Sequence, residues 1–192
     1  MLYTHSFHGV IARSGDILFT RDGIPGSLFG EIWRVLGQAM QSEFNHCAMY
    51  LGPGVRFIES AAKGVVIVEM QGDAWDAAPY AQERLLVDEL IGIGDPLAGR
   101  GLTPKQERAI RERAIAYCLE QVDEHKPYNL DVFNPETDGA FYCSQLIYKA
   151  YQTQDILLHQ HRGTDAASLL APIVFPRDVW DACRVKRRVH SK

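Results

Sequence analysis

The sequence predicts a mixed α+β fold, and three observations carry that expectation. Between residues 45 and 69, three apolar segments of strand length are separated by glycine-containing turns. From residue 103 onward the apolar side chains recur instead at spacings of three and four, the period of a helix with one buried face. The 192 residues suit one domain, 1–192, with enough chain to enclose a core.

Taken in order, Gly15-Asp16 turns into a short buried strand over 15–20. Ser27 can cap a helix running to about residue 40, with Leu28, Ile32, Val35, Leu36 and Ala39 as its apolar stripe. Over 45–51, alternation places His46, Ala48 and Tyr50 on one face of a strand, and Cys47, Met49 and Leu51 on the other. Gly52-Pro53-Gly54 is a turn, and a second strand returns over 55–60. The β-branched run at 64–69 makes a third strand, and 84–88 a weaker fourth. The glycines between 92 and 101 read as a loop without a phosphate-binding pattern.

Thr103 then opens a helix as N-cap, with Pro104 at its first position and Gln106 completing a capping box. Ile110, Ala114, Tyr117 and Cys118 form its inner face. After a loop at 126–131 and a turn-forming run at 134–139, a helix begins near Cys143 and buries Leu146, Ile147, Ala150 and Tyr151. A strand is expected at 173–175 and a short helix at 176–183. The basic tail from 184 reads as a solvated edge strand or frayed end.

The net charge of −4 leaves no nucleic-acid footprint. No apolar run approaches the roughly 20 residues that span a bilayer. The N-terminus lacks a basic region followed by an apolar one, so a cytoplasmic location is expected. The four cysteines are scattered and include no CxxC pair, which favours reduced thiols. His159 and His161 lack further ligands nearby and read as surface residues. His46 and Cys47, adjacent on a strand, point to opposite faces. No metal and no cofactor is expected.

Cys143, in the first turn of a helix, sits among unpaired backbone N–H groups at the positive end of the dipole. That setting lowers a thiol's pKa, although a small buried residue packing the helix would occupy the same place. A thiolate nucleophile needs a base, and histidine titrates near neutrality. Of seven histidines, only His46 falls in a core strand; His5, His8, His125, His159, His161 and His190 fall in termini or loops. Glu59 is the candidate to orient it, on one condition of register. If Pro53-Gly54 form a two-residue turn, residue 48 faces 59, and Glu59 lies diagonally across from His46 on its face. A three-residue turn would point Glu59 to the wrong side.

Five segments in order carry a resemblance: Gly-Asp-Ile-Leu-Phe at 15–19, Asn-His-Cys-Ala-Met-Tyr-Leu-Gly at 45–52, Phe-Ile-Glu-Ser at 57–60, Pro-Tyr-Asn at 127–129 and Phe-Tyr-Cys-Ser-Gln-Leu-Ile at 141–147. Together they resemble the circularly permuted branch of the NlpC-type papain-like cysteine peptidases, which includes the YiiX-like proteins and places the histidine before the cysteine. The resemblance implies a papain-like α+β domain in which a cysteine-bearing helix packs on an antiparallel, barrel-like sheet. It assigns Cys143 as nucleophile, His46 as base and Glu59 as the orienting residue. Gln145 and Asn129 depart from it, standing where family members often carry glutamate and aspartate.

The function so implied is amide hydrolysis through a thioester, on a small peptide or peptidoglycan fragment. Two alternatives stay open. One is a lipid-directed thiol acyltransferase or acyl hydrolase similar to lecithin retinol acyltransferase, acting on a lipid-like acyl substrate. The other is a binding module whose catalytic site has decayed, which would show as Cys143 and His46 beyond hydrogen-bond reach.

Overall fold

The computed structural model describes residues 1–22, 42–159 and 173–190. The helix expected over 27–40 and the residue His161 lie outside them. The chain opens with a hairpin, β1 (Thr4–Phe7) and β2 (Val10–Arg13), paired from Thr4↔Arg13 to Phe7↔Val10. This stretch read as an irregular terminus. Its four-residue strands bury only Phe7 and Ala12, too few positions to show a period.

Next come β3 (Ile17–Asp22), β4 (His46–Tyr50), β5 (Val55–Ala61) and β6 (Gly64–Met70), all close to the expected strands. The expected strand at 84–88 is not one. Residues Ala81–Arg84 form a short helix, α1, which ends where Leu85 turns left-handed at φ 54°. The strand starts at the last expected residue instead: β7 is Asp88–Asp95 and runs through Gly92 and Gly94, which read as loop. The two glycines are there because side chains pack onto the strand. A Cβ on Gly92 would lie 2.7 Å from the Trp180 ring, and one on Gly94 2.8 Å from the Cys183 sulfur.

Helix α2 (Pro104–Asp123) begins with the expected capping box: Thr103 N–H donates to Gln106 Oε1 at 2.9 Å, and Gln106 N–H to Thr103 Oγ1 at 3.3 Å. Helix α3 (Cys143–Gln152) and helix α4 (Pro176–Ala182) follow, then β8 (Val185–Arg188). Residues 173–175 are buried but not a strand. Val174 instead uses its backbone on α3, accepting from Ser144 Oγ at 2.6 Å and donating to Tyr142 Oη at 3.0 Å.

Strands β3 to β8 form one antiparallel sheet in the order β6-β5-β4-β3-β7-β8. Among the described residues it is open, with β6 and β8 as its edges, and the barrel-like closure expected from the resemblance is not seen. The basic tail is the edge strand that the sequence suggested, its side chains largely exposed. Helices α2, α3 and α4 cover one face of the sheet, packing on Ile17, Phe19, Cys47, Met49 and Ile58. The hairpin and the segment around Trp75 and Ala77 cover the other, over Leu18, Ala48, Tyr50 and Phe57. In α3, Leu146 and Ile147 are fully buried, each contributing about 2 kcal/mol of transfer free energy. Among the described residues, no helix is long and apolar enough to cross a membrane.

Candidate active site

The first turn of α3 is held from three sides before any chemistry is considered. Phe141 bridges the loop behind it: its N–H donates to Pro127 O at 3.1 Å, and its carbonyl accepts from Asn129 N–H at 3.0 Å and Ser60 Oγ at 2.5 Å. Tyr142 and Ser144 are tied to Val174. Gln145 spans the loop from within. Its amide nitrogen donates to Pro135 O at 3.0 Å and Thr137 O at 3.1 Å, while its oxygen accepts from Asn129 Nδ2 at 3.0 Å and Tyr142 N–H at 3.2 Å. The two departures from the family pattern are therefore one feature. A neutral pair, Asn129 and Gln145, supplies both donors and acceptors where two carboxylates would only accept.

The hairpin register decides the rest. Met49 faces Ile58 and Tyr50 faces Phe57, which continues to Ala48 opposite Glu59, the register that an even loop gives, while Gly52 N–H donates to Arg56 O at 3.0 Å. Glu59 consequently shares a face with His46, and its Oε2 lies 2.8 Å from His46 Nε2. Both are buried, at 7% and 0% exposure. With Nε2 committed to Glu59, Nδ1 is the ring nitrogen left for the thiol. His46 is the first residue of β4, and the ladder to β5 does not reach it, so the end of the strand is open to the start of α3.

The His46 ring and the Cys47 thiol and backbone lie close enough to the Cys143 sulfur to act on its charge, and Ser144 Oγ lies 4.0 Å from it. The Cys47 thiol is the largest cause of a Cys143 pKa held well below the usual thiol value; burial opposes it, and the His46 bond and charge add to the lowering. Burial alone would pull the His46 pKa down, but Cys143 and Glu59 outweigh it and raise it to about 10. The two shifts run in opposite directions, and both favour a thiolate beside an imidazolium. Burial and the nearby thiolate push the Cys47 thiol the other way, so it stays protonated as a donor. Cys143 itself is 1% exposed. It packs the helix, as the packing reading of this cysteine expected.

Behind Glu59 stands a residue that the sequence reading missed. Arg84 Nε donates to Glu59 Oε1 at 2.8 Å and Nη2 to Oε2 at 2.7 Å, while Nη1 reaches Asp88 Oδ1 at 2.7 Å. The guanidinium is fully buried and lies against the rings of Phe57 and Trp75, 5.3 and 5.5 Å from their centroids. Burial would raise the Glu59 pKa, but the charge and hydrogen bonds of Arg84, with those of His46, bring it to about 2. No local signal marks Arg84, because a charge in a short, polar segment ordinarily faces solvent.

Three other histidines are engaged elsewhere. His5 contacts Asp73 O at 2.8 Å, and His125 contacts Val122 O at 3.0 Å. His159, expected on the surface, has a side chain only 4% exposed, 3.7 Å from Asp178 and edge-on to Tyr148. Apolar packing on α3 and α4 draws it in, despite the polar residues beside it in sequence.

Comparison with known proteins bears on the family and the fold. The model of the permuted papain-like amidase family YaeF/YiiX, C92, matches residues 12–180. The NlpC-type grouping is only loosely related to it. No curated protein matches the chain. The crystal structure of a protein described as metalloprotein yiiX from Escherichia coli O157:H7 superposes with a TM-score of 0.56, covering 93% of this chain and 97% of that one. At 16% identity that likeness speaks for the fold alone. The metal named in that description belongs to that protein. Among the described residues no group of three or more His, Cys, Asp or Glu side chains could hold one, and the donors of the site are spent on each other.

Proposed function

The chain belongs to the permuted papain-like amidase family of YaeF and YiiX, C92, and from that membership we propose a cysteine amidase or peptidase acting through Cys143, His46 and Glu59. The observation that carries the reading is a buried cluster in which His46 Nε2 lies 2.8 Å from Glu59 Oε2 and the same ring acts on the charge of the Cys143 sulfur. Residues 1–192 act as one catalytic domain. The substrate is a peptide-type amide, with peptidoglycan-type peptides among the candidates.

The thiolate of Cys143 attacks the carbonyl carbon, forming a C–S bond as the π electrons move onto oxygen. N–H groups in the first turn of α3 meet that oxyanion. Collapse expels the amine, which takes a proton from His46 and leaves a thioester. Water then gives a proton to the neutral imidazole and its hydroxide to the acyl carbon, and the thiolate departs. Glu59 holds the ring through Nε2, so that Nδ1 faces the sulfur throughout.

The test pairs substrate panels with labelling. Cys143→Ala should abolish hydrolysis of peptide amides, and His46→Ala should slow it by about 10²–10⁴-fold. Iodoacetamide should label Cys143 ahead of the other three cysteines, and far more slowly in His46→Ala. Equal labelling of all four cysteines, or fatty-acid release from a lipid ester with no amide cleavage, would sink the reading.

A further inference from the structure

We infer that Arg84 is a positioning residue of this site: by clamping both oxygens of Glu59 it keeps that carboxylate a charged acceptor, so that the shared proton stays on His46. The inference rests on the reading above and adds a residue to it.

The geometry is that of a clamp. Both Glu59 oxygens accept from the guanidinium, at 2.8 and 2.7 Å, and the second also meets His46 Nε2 at 2.8 Å. Asp88 fixes the far side of the fork, at 2.7 and 3.3 Å, and the rings of Phe57 and Trp75 close over it. The side chains of Arg84, Glu59 and Asp88 are wholly buried. A carboxylate in that setting is costly unless it is paired. Lysine has no planar fork and cannot make the same two bonds.

The charged and titratable groups meeting here are Cys143 from α3, His46 and Cys47 from β4, Glu59 from β5, Arg84 from α1 and Asp88 from β7. Take the guanidinium away, and Glu59 faces burial with only the imidazolium as counter-charge. The proton on Nε2 then passes 2.8 Å to Oε2, leaving a neutral ring and a neutral acid. The sulfur of Cys143 loses its cationic neighbour and takes up a proton from solvent. Arg84 thus acts on the nucleophile through two intervening groups and touches neither substrate nor sulfur.

The experiment is the pH profile of Cys143 alkylation by iodoacetamide, read by peptide mapping in the full chain. The wild type should label with a midpoint well below the ordinary thiol value of about 8.5. Arg84→Lys should raise that midpoint by about one pH unit, and Arg84→Met by more. In a Glu59→Gln background, Arg84→Met should move it no further, because the group through which it acts is gone. Ring ¹⁵N shifts should report an imidazolium at His46 in the wild type at neutral pH and a neutral ring in Arg84→Lys. This second readout needs no reagent access and uses the gentler substitution. Folded Arg84 variants with the wild-type midpoint and a charged ring overturn the role of Arg84 and leave the nucleophile standing. A wild type with no depressed midpoint removes the thiolate itself, and this proposal with it.

Discussion

Three groups act on the charge of the Cys143 sulfur: the His46 ring, the Cys47 thiol and the Cys47 backbone. Two of them come from a residue that strand alternation places on the opposite face from His46. The alternation is real, since Cys47 packs with Met49 beneath the helices while Ala48 packs with Tyr50 on the far side. Both side chains reach one atom because His46 begins the strand and α3 begins above it. Cys47→Ala should therefore raise the alkylation midpoint of Cys143, and should lower the melting temperature by the small cost of the cavity it leaves in the core. An unaltered midpoint would show that the neighbouring thiol contributes nothing. Cys143, His46 and Glu59 were legible as residue types in a pattern. Cys47 was not, because its part depends on where a strand ends relative to a helix 96 positions away in the chain.

At the scale of elements, the helices whose ends carry their own chemistry were readable. The Thr103-Pro104-Gln106 cap is a contact between neighbours, and so is the Gly52-Pro53-Gly54 turn that sets the β4–β5 register. Strand β7 was misread for the opposite reason. Its Gly92 and Gly94 are required by side chains from α4 and the residue after it, which sequence order does not bring near. A methyl group at 92 would have to enter the Trp180 ring, itself packed on Phe19 and Phe44. Gly92→Ala should cost about 1–3 kcal/mol in urea unfolding, as overpacking of a filled core does. The same change at Gly101, where nothing lies within 4 Å of the added carbon, meets no such clash and is strained only through its φ of 71°. Equal losses at the two positions would mean that backbone conformation, not the indole, sets the requirement.

For the whole molecule, the site links stability to pH. Glu59 is held at about 2 against an ordinary 4.5, so its contribution is complete above 4.5 and is lost as the pH falls toward 2. His46 is raised from 6.5 to about 10, so its contribution is complete below 6.5 and is lost as the pH climbs toward 10. Cys143 is lowered from 9.0, so its contribution grows with pH until 9.0. In the part of the 6.5–9.0 window that lies above the lowered Cys143 pKa, the proton that folding adds to His46 is the one that it removes from Cys143, and the two slopes cancel. The difference in melting temperature between the wild type and a His46→Ala/Cys143→Ala double variant should be flat across that part of the window. It should shrink on the alkaline side above it. A steady slope there would mean that thiol and imidazole do not ionise as a pair. A second buried network, Arg111 with Asp16, Asp95 and Glu107, ties α2 to β3 and β7 at 2.7 to 3.0 Å and does not involve this pair.

By itself the sequence determined what lies within a few residues of its cause. The start of α2, the turn that brings Glu59 to the face of His46, and a cysteine at the head of a buried helix are all of this kind. Only the tertiary structure decided that Arg84 would be buried behind Glu59, that Cys47 would stand beside Cys143, and that β7 would need glycine under an indole. Capping, period and turn length are near-neighbour properties written in adjacent letters. The burial of a charge and the fit of a ring depend on partners that meet only when distant segments pack.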